Sequence, residues 1–347
     1  MASNERGDGF YGLPETDQIR RLGELAHASL ARWDLASASI EPAAYRENMT
    51  FRIDAGRRGR FALRIHQAGY RSDANIVSEL AFMQALGEQG VRTPEVVPAG
   101  DGSLFVVAEG AGVPEPRQCD LFEWIDGRPL RATGDDAPHD TQSLATTYRE
   151  LGRQAAAIAN AAESWPRPPG FSRPAWDAEG IFGESAHLGD FRTLDGVTAE
   201  QRTLHGRLAE KLTDELGRFG KTPDRFGLSH GDFLPENIMV CADGIRLIDF
   251  DDCGEGWYLF DFATAVFDLL GGPAFDACVE AMTAGYRDRR TLPDEHLAFL
   301  PMFLLARALS YLGWSASRSH LEKARQIAPM LLAAVDAFGP VYLASDP

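Results

Sequence analysis

Residues 230–252 constrain this chain more than any other stretch. They run His230-Gly231-Asp232-Phe233-Leu234-Pro235-Glu236-Asn237, then Ile238-Met239-Val240, a turn at Ala242-Asp243-Gly244, Ile245-Arg246-Leu247-Ile248, and Asp249-Phe250-Asp251-Asp252. The two apolar runs read as short strands, and Gly244 suits the φ > 0 that a tight hairpin turn demands. A hairpin of this kind returns Asp249 to the neighbourhood of Asn237. An isolated Asp and Asn at such spacing is common in loops, where both side chains satisfy turn backbone. Here all the parts occur together and in order.

The residue types match one kind of chemistry. Phosphoryl transfer needs a hydroxyl held in line with a phosphate, and cations that neutralise charge on its oxygens. Asp232 is suited to accept or orient an acceptor hydroxyl. Asn237 and Asp249 offer the hard oxygen ligands that Mg²⁺ prefers, with nucleotide phosphates and water completing its shell. His230 is placed to brace the loop rather than to act as a base.

The segments His230 to Asn237, Ile248 to Asp252 and Trp257-Tyr258-Leu259-Phe260-Asp261-Phe262-Ala263 resemble the aminoglycoside phosphotransferase and choline kinase superfamily. The likeness is greatest to the branch holding type II homoserine kinases and the bacterial stress-response Ser/Thr kinase. Upstream, Arg46 to Ile53 followed by Phe61 to His66 resembles that branch's nucleotide-lobe hairpin. Ser78 to Met83 resembles its first-lobe helix, and Phe122 to Gly127 its interlobe hinge. The resemblance spans residues 35 to 330. It implies an α+β, two-lobed protein-kinase-like fold: a small N-lobe with an antiparallel sheet, and a larger, mainly α-helical C-lobe. It also implies ATP or GTP as phosphoryl donor, Mg²⁺ as cofactor, Asp232 as catalytic residue, and Asn237 and Asp249 as metal ligands. His230 and Asp261 would give structural support, and Arg64, Glu79, Asn48, Glu123 and Ile125 would serve the nucleotide.

The chain departs from the kinase pattern in two respects. Its three lysines, Lys211, Lys221 and Lys323, all lie beyond residue 200. A kinase-type lobe presents a strand Lys to the phosphates, paired with a helix Glu. The matching strand position holds Arg64, and the matching Glu is Glu79. Arg supplies the same charge in a planar fork; the competing reading is a surface Arg beside an exposed Glu. No G-x-G-x-x-G precedes the strand, so any phosphate-covering hairpin must use residues near Tyr45 to Thr50.

Composition suits a soluble enzyme. With 347 residues, 44% of them hydrophobic, the chain is long enough for two lobes. Charged or polar residues are expected to interrupt every apolar run before it reaches membrane-spanning length. The N-terminus, Met1 to Gly9, lacks the basic and apolar stretches of a secretory signal, so a cytoplasmic location without membrane partners is expected. Cys119, Cys241, Cys253 and Cys278 lack metal-ligand spacing and read as thiols. A net charge of −17 argues against nucleic acid as partner. It is compatible with a cationic acceptor, although acidic surfaces commonly serve solubility.

Periodicity and turn signals predict three parts: an N-terminal helical segment over 1–34, an N-lobe over 35–127, which the resemblance implies is nucleotide-binding, and a C-lobe over 128–347. Helices are predicted over Thr16–Trp33 and Ile76–Gly87, the second capped by Asp73 or Asn75. Strand-like stretches at Met49–Ile53, Phe61–His66, Val96–Pro98, Leu104–Ala108 and Gln118–Ile125 make a five-stranded sheet. Beyond it, helices are predicted over Asp140–Ala162, Ala199–Phe219, Asp261–Leu270, Ala274–Tyr286, Pro293–Trp314 and Ser319–Phe338. The Pro-rich Ser164–Pro174 stretch must be irregular.

Several residues carry two readings. Asp261 either braces the catalytic loop or caps a helix. Asp251 and Asp252 add a metal contact, meet a cationic acceptor, or are solvated turn acids. Trp257, Tyr258, Tyr311 and Trp314 wall an acceptor pocket or belong to the core. Glu236 is expected to face solvent. The activity expected is transfer of a γ-phosphoryl group to a hydroxyl of a small amine-bearing molecule: an amino acid, amino alcohol or aminoglycoside-like compound. The alternatives are a protein Ser/Thr kinase, which the short Asp252–Leu259 stretch disfavours as a peptide platform, and a non-catalytic nucleotide-binding pseudokinase.

Overall fold

The computed structural model describes residues 9–130 and 141–345. They form two compact units, one of residues 9–88, 92–128 and 167–172, the other of 89–91, 129–130, 141–166 and 173–345.

In the first unit, α1 (Glu15–Ser29) precedes strands β1 (Ser39–Tyr45), β2 (Met49–Asp54) and β3 (Arg60–Ile65), then α2 (Asp73–Glu88), β4 (Phe105–Ala108) and β5 (Arg117–Glu123). The strands make one antiparallel sheet in the order β1-β2-β3-β5-β4. The side-chain period of two sends Phe51, Ile53, Leu63, Ile65, Cys119 and Leu121 to one face. There they share a core with Leu22, Leu25 and Ala26 of α1, so the N-terminal helix belongs to this core. The fifth strand is Ser39–Tyr45, not Val96–Pro98, where Val96 makes a single bridge to Phe122. Strand β1 escaped notice because most of its residues are exposed, which erases the alternation that marks a half-buried strand. Helix α2 begins earlier than its apolar stripe, and its cap is Ser72, whose hydroxyl accepts the Asn75 N–H at 3.2 Å.

The second unit is mainly helical. It contains α3 (Thr141–Ser164), α4 (Ala199–Phe219), β6 (Phe226–Ser229), β7 (Ile238–Cys241), β8 (Gly244–Leu247), β9 (Gly254–Trp257), α5 (Tyr258–Val266), α6 (Phe275–Arg287), α7 (Leu300–Ser317) and α8 (Glu322–Ala344). The predicted start of α3 at Asp140 lies outside the described residues. Helix α4 opens with a full capping box between Thr198 and Gln201. Strands β7 and β8 form the expected hairpin, with Leu247 opposite Ile238, and β9 pairs antiparallel with β6.

One sequence expectation needs correction. Two helical stretches, Asp294–Ser317 and Glu322–Ala344, are long and apolar enough to cross a membrane by length and composition. Asp294 and Glu295, and Glu322, Lys323 and Arg325, gather at the starts of these stretches, and the lone charges Arg307 and Asp336 are too few to interrupt the rest. The most apolar window of the first is 67% buried within the protein, as in a core helix, and that of the second 17%.

Helices α3 and α6 cross at glycines. A Cβ on Gly285 would sit 1.8 Å from the Arg149 carbonyl oxygen, and one on Gly152 2.0 Å from that of Met282. Backbone cannot yield as a side-chain tip can. Gly285→Ala is therefore expected to destabilise the protein by about 1–3 kcal/mol through overpacking. Gly217→Ala, in α4 with nothing near its Cβ, should be stabilising by up to about 1 kcal/mol. Thermal unfolding of the two variants checks the contrast.

Candidate active site

The loop from β6 to β7 is fixed from below by one carboxylate. Asp261, in the first turns of α5 and 4% exposed, accepts the N–H of His230 at 2.9 Å and that of Gly231 at 2.8 Å. It lies inside the helix, so it braces the loop rather than capping the helix. Burial raises its carboxyl to about 7, against the pull of the two N–H donors. Gly231 has φ +80°, and a Cβ there would meet the Asp252 carbonyl oxygen at 2.3 Å, so only glycine fits this turn.

His230 is fully buried and ties together two segments. Its Nε2 lies 3.1 Å from the Ile248 carbonyl oxygen, and its Nδ1 lies 3.3 Å from the Asp232 backbone nitrogen. Because Nδ1 must accept the Asp232 N–H, the proton resides on Nε2 and is donated to Ile248. Burial lowers the imidazole to about 3, so the ring is neutral.

Asp232 is held at both oxygens. Asn237 Nδ2 donates to Oδ2 at 2.9 Å and to the Asp232 carbonyl at 3.0 Å. Oδ1 accepts from Arg307 Nη2 at 2.6 Å. Burial pushes this carboxyl up, while Arg307 and the Asn237 amide oppose that shift. Arg307 stays charged, its guanidinium held above the ordinary arginine range despite burial by Tyr311 and Asp232.

The hairpin brings Asp249 back as its register requires. The Ile248 N–H donates to the Asn237 carbonyl at 3.0 Å, which places Asp249 one residue beyond that contact. Asp249 has φ 65° and ψ 67°, a left-handed conformation uncommon outside glycine. The turn after it is pinned through its carbonyls. Arg173 donates to those of Phe250, Asp251 and Cys253, and Trp176 Nε1 to that of Asp252 at 2.7 Å.

Asn237 and Asp249 suit a divalent cation. With its Nδ2 engaged by Asp232, Asn237 directs its amide oxygen elsewhere, and Asp249 adds an exposed carboxylate. Two hard oxygen donors are what Mg²⁺ takes from a protein when phosphates and water supply the rest. No cluster of three or more His, Cys, Asp or Glu suited to a metal occurs among the described residues.

In the first unit, Arg64 and Asp120 are direct cross-strand partners on the sheet face opposite the α1 core. Arg64 donates from Nε and Nη2 to the two oxygens of Asp120 at 3.1 and 2.7 Å, and pairs with Glu79 of α2 at 2.8 Å. His66 Nε2 lies 2.8 Å from the same Asp120 carboxylate. The surface reading of Arg64 and Glu79 is thereby excluded, since their side chains are 8% and 0% exposed. Asn48 accepts the Gln67 N–H at the β2–β3 end of the sheet. Glu123 and Ile125 stand at the far end of β5; Glu123 pairs with Phe61, three rungs or about 10 Å along the strand from Arg64.

Sequence reasoning missed Arg307, Asp120 and Arg173. Arg307 left one signal, as the only charge in the 18 residues of α7. Glu236 does not face solvent: it accepts from Lys323 of α8 at 2.8 Å, with 16% of its side chain exposed. Trp257 and Tyr258 are buried core residues, 2% and 8% exposed, whereas the Tyr311 hydroxyl accepts from Arg307 at 2.7 Å. Asp251 is buried too.

A loop carboxylate, an amide and a post-hairpin carboxylate on this α+β scaffold define a phosphotransferase with the two-lobed kinase-like fold. The chain belongs to the phosphotransferase enzyme family whose model matches residues 39–296. It is similar to the solved microcompartment-associated aminopropanol kinase, with 34% identity, coverage of 92% of this chain and 97% of that one, and a TM-score of 0.80. Amicoumacin kinase of Bacillus subtilis is 25% identical over 73% of each chain. A homoserine kinase of Rhizobium meliloti is 23% identical over 87% of this chain and 84% of its own.

Removing Arg64 leaves two buried carboxylates without their cation. Arg64→Met should therefore cost about 3–5 kcal/mol of stability, read by denaturant unfolding. His230 and Asp261 make opposed contributions to pH dependence. Since the folded value of His230 is depressed to about 3 from 6.5, its contribution is full above about pH 6.5 and lost as pH falls toward 3. Asp261, raised to about 7 from 3.8, makes the folded state lose stability as pH rises from about 4 to 7. In His230→Gln only the second contribution survives. Between pH 4 and 6.5, the slope of stability against pH should become more negative than in the wild type, by up to about 1.4 kcal/mol per pH unit.

Proposed function

We propose that this phosphotransferase moves the γ-phosphoryl group of ATP, or of GTP, to a hydroxyl of a small amine-bearing molecule, with a short amino alcohol as the favoured acceptor. The observation carrying this reading is Asp232 fixed at both oxygens, beside Asn237 and the hairpin that returns Asp249. Similarity to an aminopropanol kinase across nearly the whole of both chains supports the acceptor class.

In this reading Asp232 orients the acceptor hydroxyl toward the γ-phosphorus. The acceptor oxygen forms the new P–O bond as the bond to the β-phosphate oxygen breaks, and the hydroxyl proton passes to Asp232. The nucleoside diphosphate leaves. Asn237 and Asp249 would hold Mg²⁺, which neutralises charge on the phosphate oxygens. Arg64, oriented by Glu79 and Asp120, serves the phosphates, and Asn48, Glu123 and Ile125 serve the rest of the nucleotide. His230 and Asp261 keep the loop in place without titrating in the reaction. The enzyme acts in the cytoplasm, without nucleic acid or membrane as partner.

The test is nucleoside diphosphate formation from Mg-ATP and Mg-GTP with 1-aminopropan-2-ol, ethanolamine, homoserine, an aminoglycoside, amicoumacin and a generic protein. Turnover stimulated by an amino alcohol and reduced about 10²–10⁴-fold in Asp232→Asn is the expected result. Stimulation by protein alone would replace this reading with the Ser/Thr kinase. Nucleotide binding without turnover on any acceptor would replace it with the pseudokinase.

A further inference from the structure

We propose that Arg307 is a positioning residue for Asp232: a guanidinium delivered from α7 that locks the carboxylate in the orientation the acceptor hydroxyl meets. This rests on the reading of Asp232 given above and deepens it.

Four observations converge. Arg307 is 1% exposed, and it is the lone charge of an otherwise uncharged helix. Its Nη2 donates to Asp232 Oδ1 at 2.6 Å and to the Tyr311 hydroxyl at 2.7 Å. Its guanidinium carbon lies 4.0 Å from the Tyr311 ring centroid and 5.5 Å from that of Phe260, so two aromatic faces hold the planar group. Its Nε and Nη1 have no hydrogen-bond partner among the described residues. An apolar helix accommodates an arginine here at a desolvation cost, and the acidic partner that offsets this cost is the loop carboxylate.

The mechanical consequence follows from the two ends of that carboxylate. Asn237 fixes Oδ2 and Arg307 fixes Oδ1, so rotation about the Cβ–Cγ bond is blocked from both sides. Each oxygen keeps a lone pair for an incoming hydroxyl. With Arg307 gone, only the Asn237 contact orients the group. A misplacement of about 1 Å at such a group costs on the order of 10²-fold in rate.

The experiment measures kcat, both KM values and thermal unfolding for Arg307→Met, Arg307→Lys, Asp232→Asn and the Asp232→Asn/Arg307→Met double variant. The expected result is a loss of roughly 10²-fold in kcat for Arg307→Met, with both KM values within about threefold of wild type. Arg307→Lys keeps the charge and hence the fold, and should retain an intermediate kcat. The double variant should be no slower than Asp232→Asn alone, because a residue acting only through Asp232 has nothing left to position. If Arg307→Met does not fold, Arg307→Lys decides: wild-type kcat there overturns the proposal, and a fall in kcat at unchanged KM upholds it. A raised acceptor KM at unchanged kcat, or a full further loss in the double variant, also overturns it. Wild-type protein without turnover removes the functional reading itself, and this inference with it. Wild-type turnover with unaffected Arg307 variants removes this inference alone.

Discussion

The loop between β6 and β7 depends on a buried carboxylate. Asp261 reaches from α5 to take two successive backbone N–H groups, and the loop cannot turn as it does unless both are satisfied. From that anchor the order propagates by contact. His230, positioned by its own N–H, carries one ring nitrogen to the backbone of Asp232 and the other to the carbonyl immediately before Asp249. A single neutral imidazole thus sets the spacing between the residue suited to orient a hydroxyl and a residue suited to hold a metal. A charged imidazole would lose an acceptor at Nδ1, which is why burial and the consequent loss of basicity serve the arrangement.

Both units bury arginines on the same plan. Arg64 lies against Asp120 and Glu79, and Arg307 against Asp232 and over the Tyr311 ring. Burying such charges costs several kcal/mol each before pairing, so neither pair is efficient as a source of stability. What the pairs supply is orientation: each fixes its charged groups in one rotamer. The surroundings of Arg64 follow from the shape of its guanidinium. A flexible ammonium needs one carboxylate, whereas a planar fork has more donors to satisfy inside the protein. Asp120, directly across the ladder, accepts two of them, and it is held well below the usual carboxylate range against burial, with Arg64 and then His66 responsible.

Much of this was legible in the sequence because it is local. The His230–Asp252 stretch encodes its hairpin by apolar period and turn chemistry, and the hairpin alone returns Asp249 toward Asn237. Helix α4 declared itself through its apolar stripe, Leu204, Leu208, Leu212 and Leu216. The elements that escaped are those whose partners lie far away. Strand β1 is an edge strand with little burial, so its pattern does not alternate. Arg307 lies 75 residues from Asp232 in sequence, and nothing near either residue specifies the other. Glu236 looked exposed because its partner, Lys323, comes from a helix that local reading cannot bring to it.

Arg173 and Trp176 impose a similar constraint on the segment that follows Asp249. Asp249 adopts a left-handed conformation that costs an L-residue of order 1 kcal/mol, less for Asp than for most because its side chain tolerates that region. Such a conformation persists only where the surroundings over-determine it. Before Asp249, the β7–β8 ladder and the His230 contact fix the backbone. After it, the carbonyls of residues 250 to 253 are taken by the Arg173 guanidinium and the Trp176 indole N–H. The residue between these clamps therefore has little freedom to relax. Its carboxylate is exposed at the surface, on a backbone whose direction is fixed in folding.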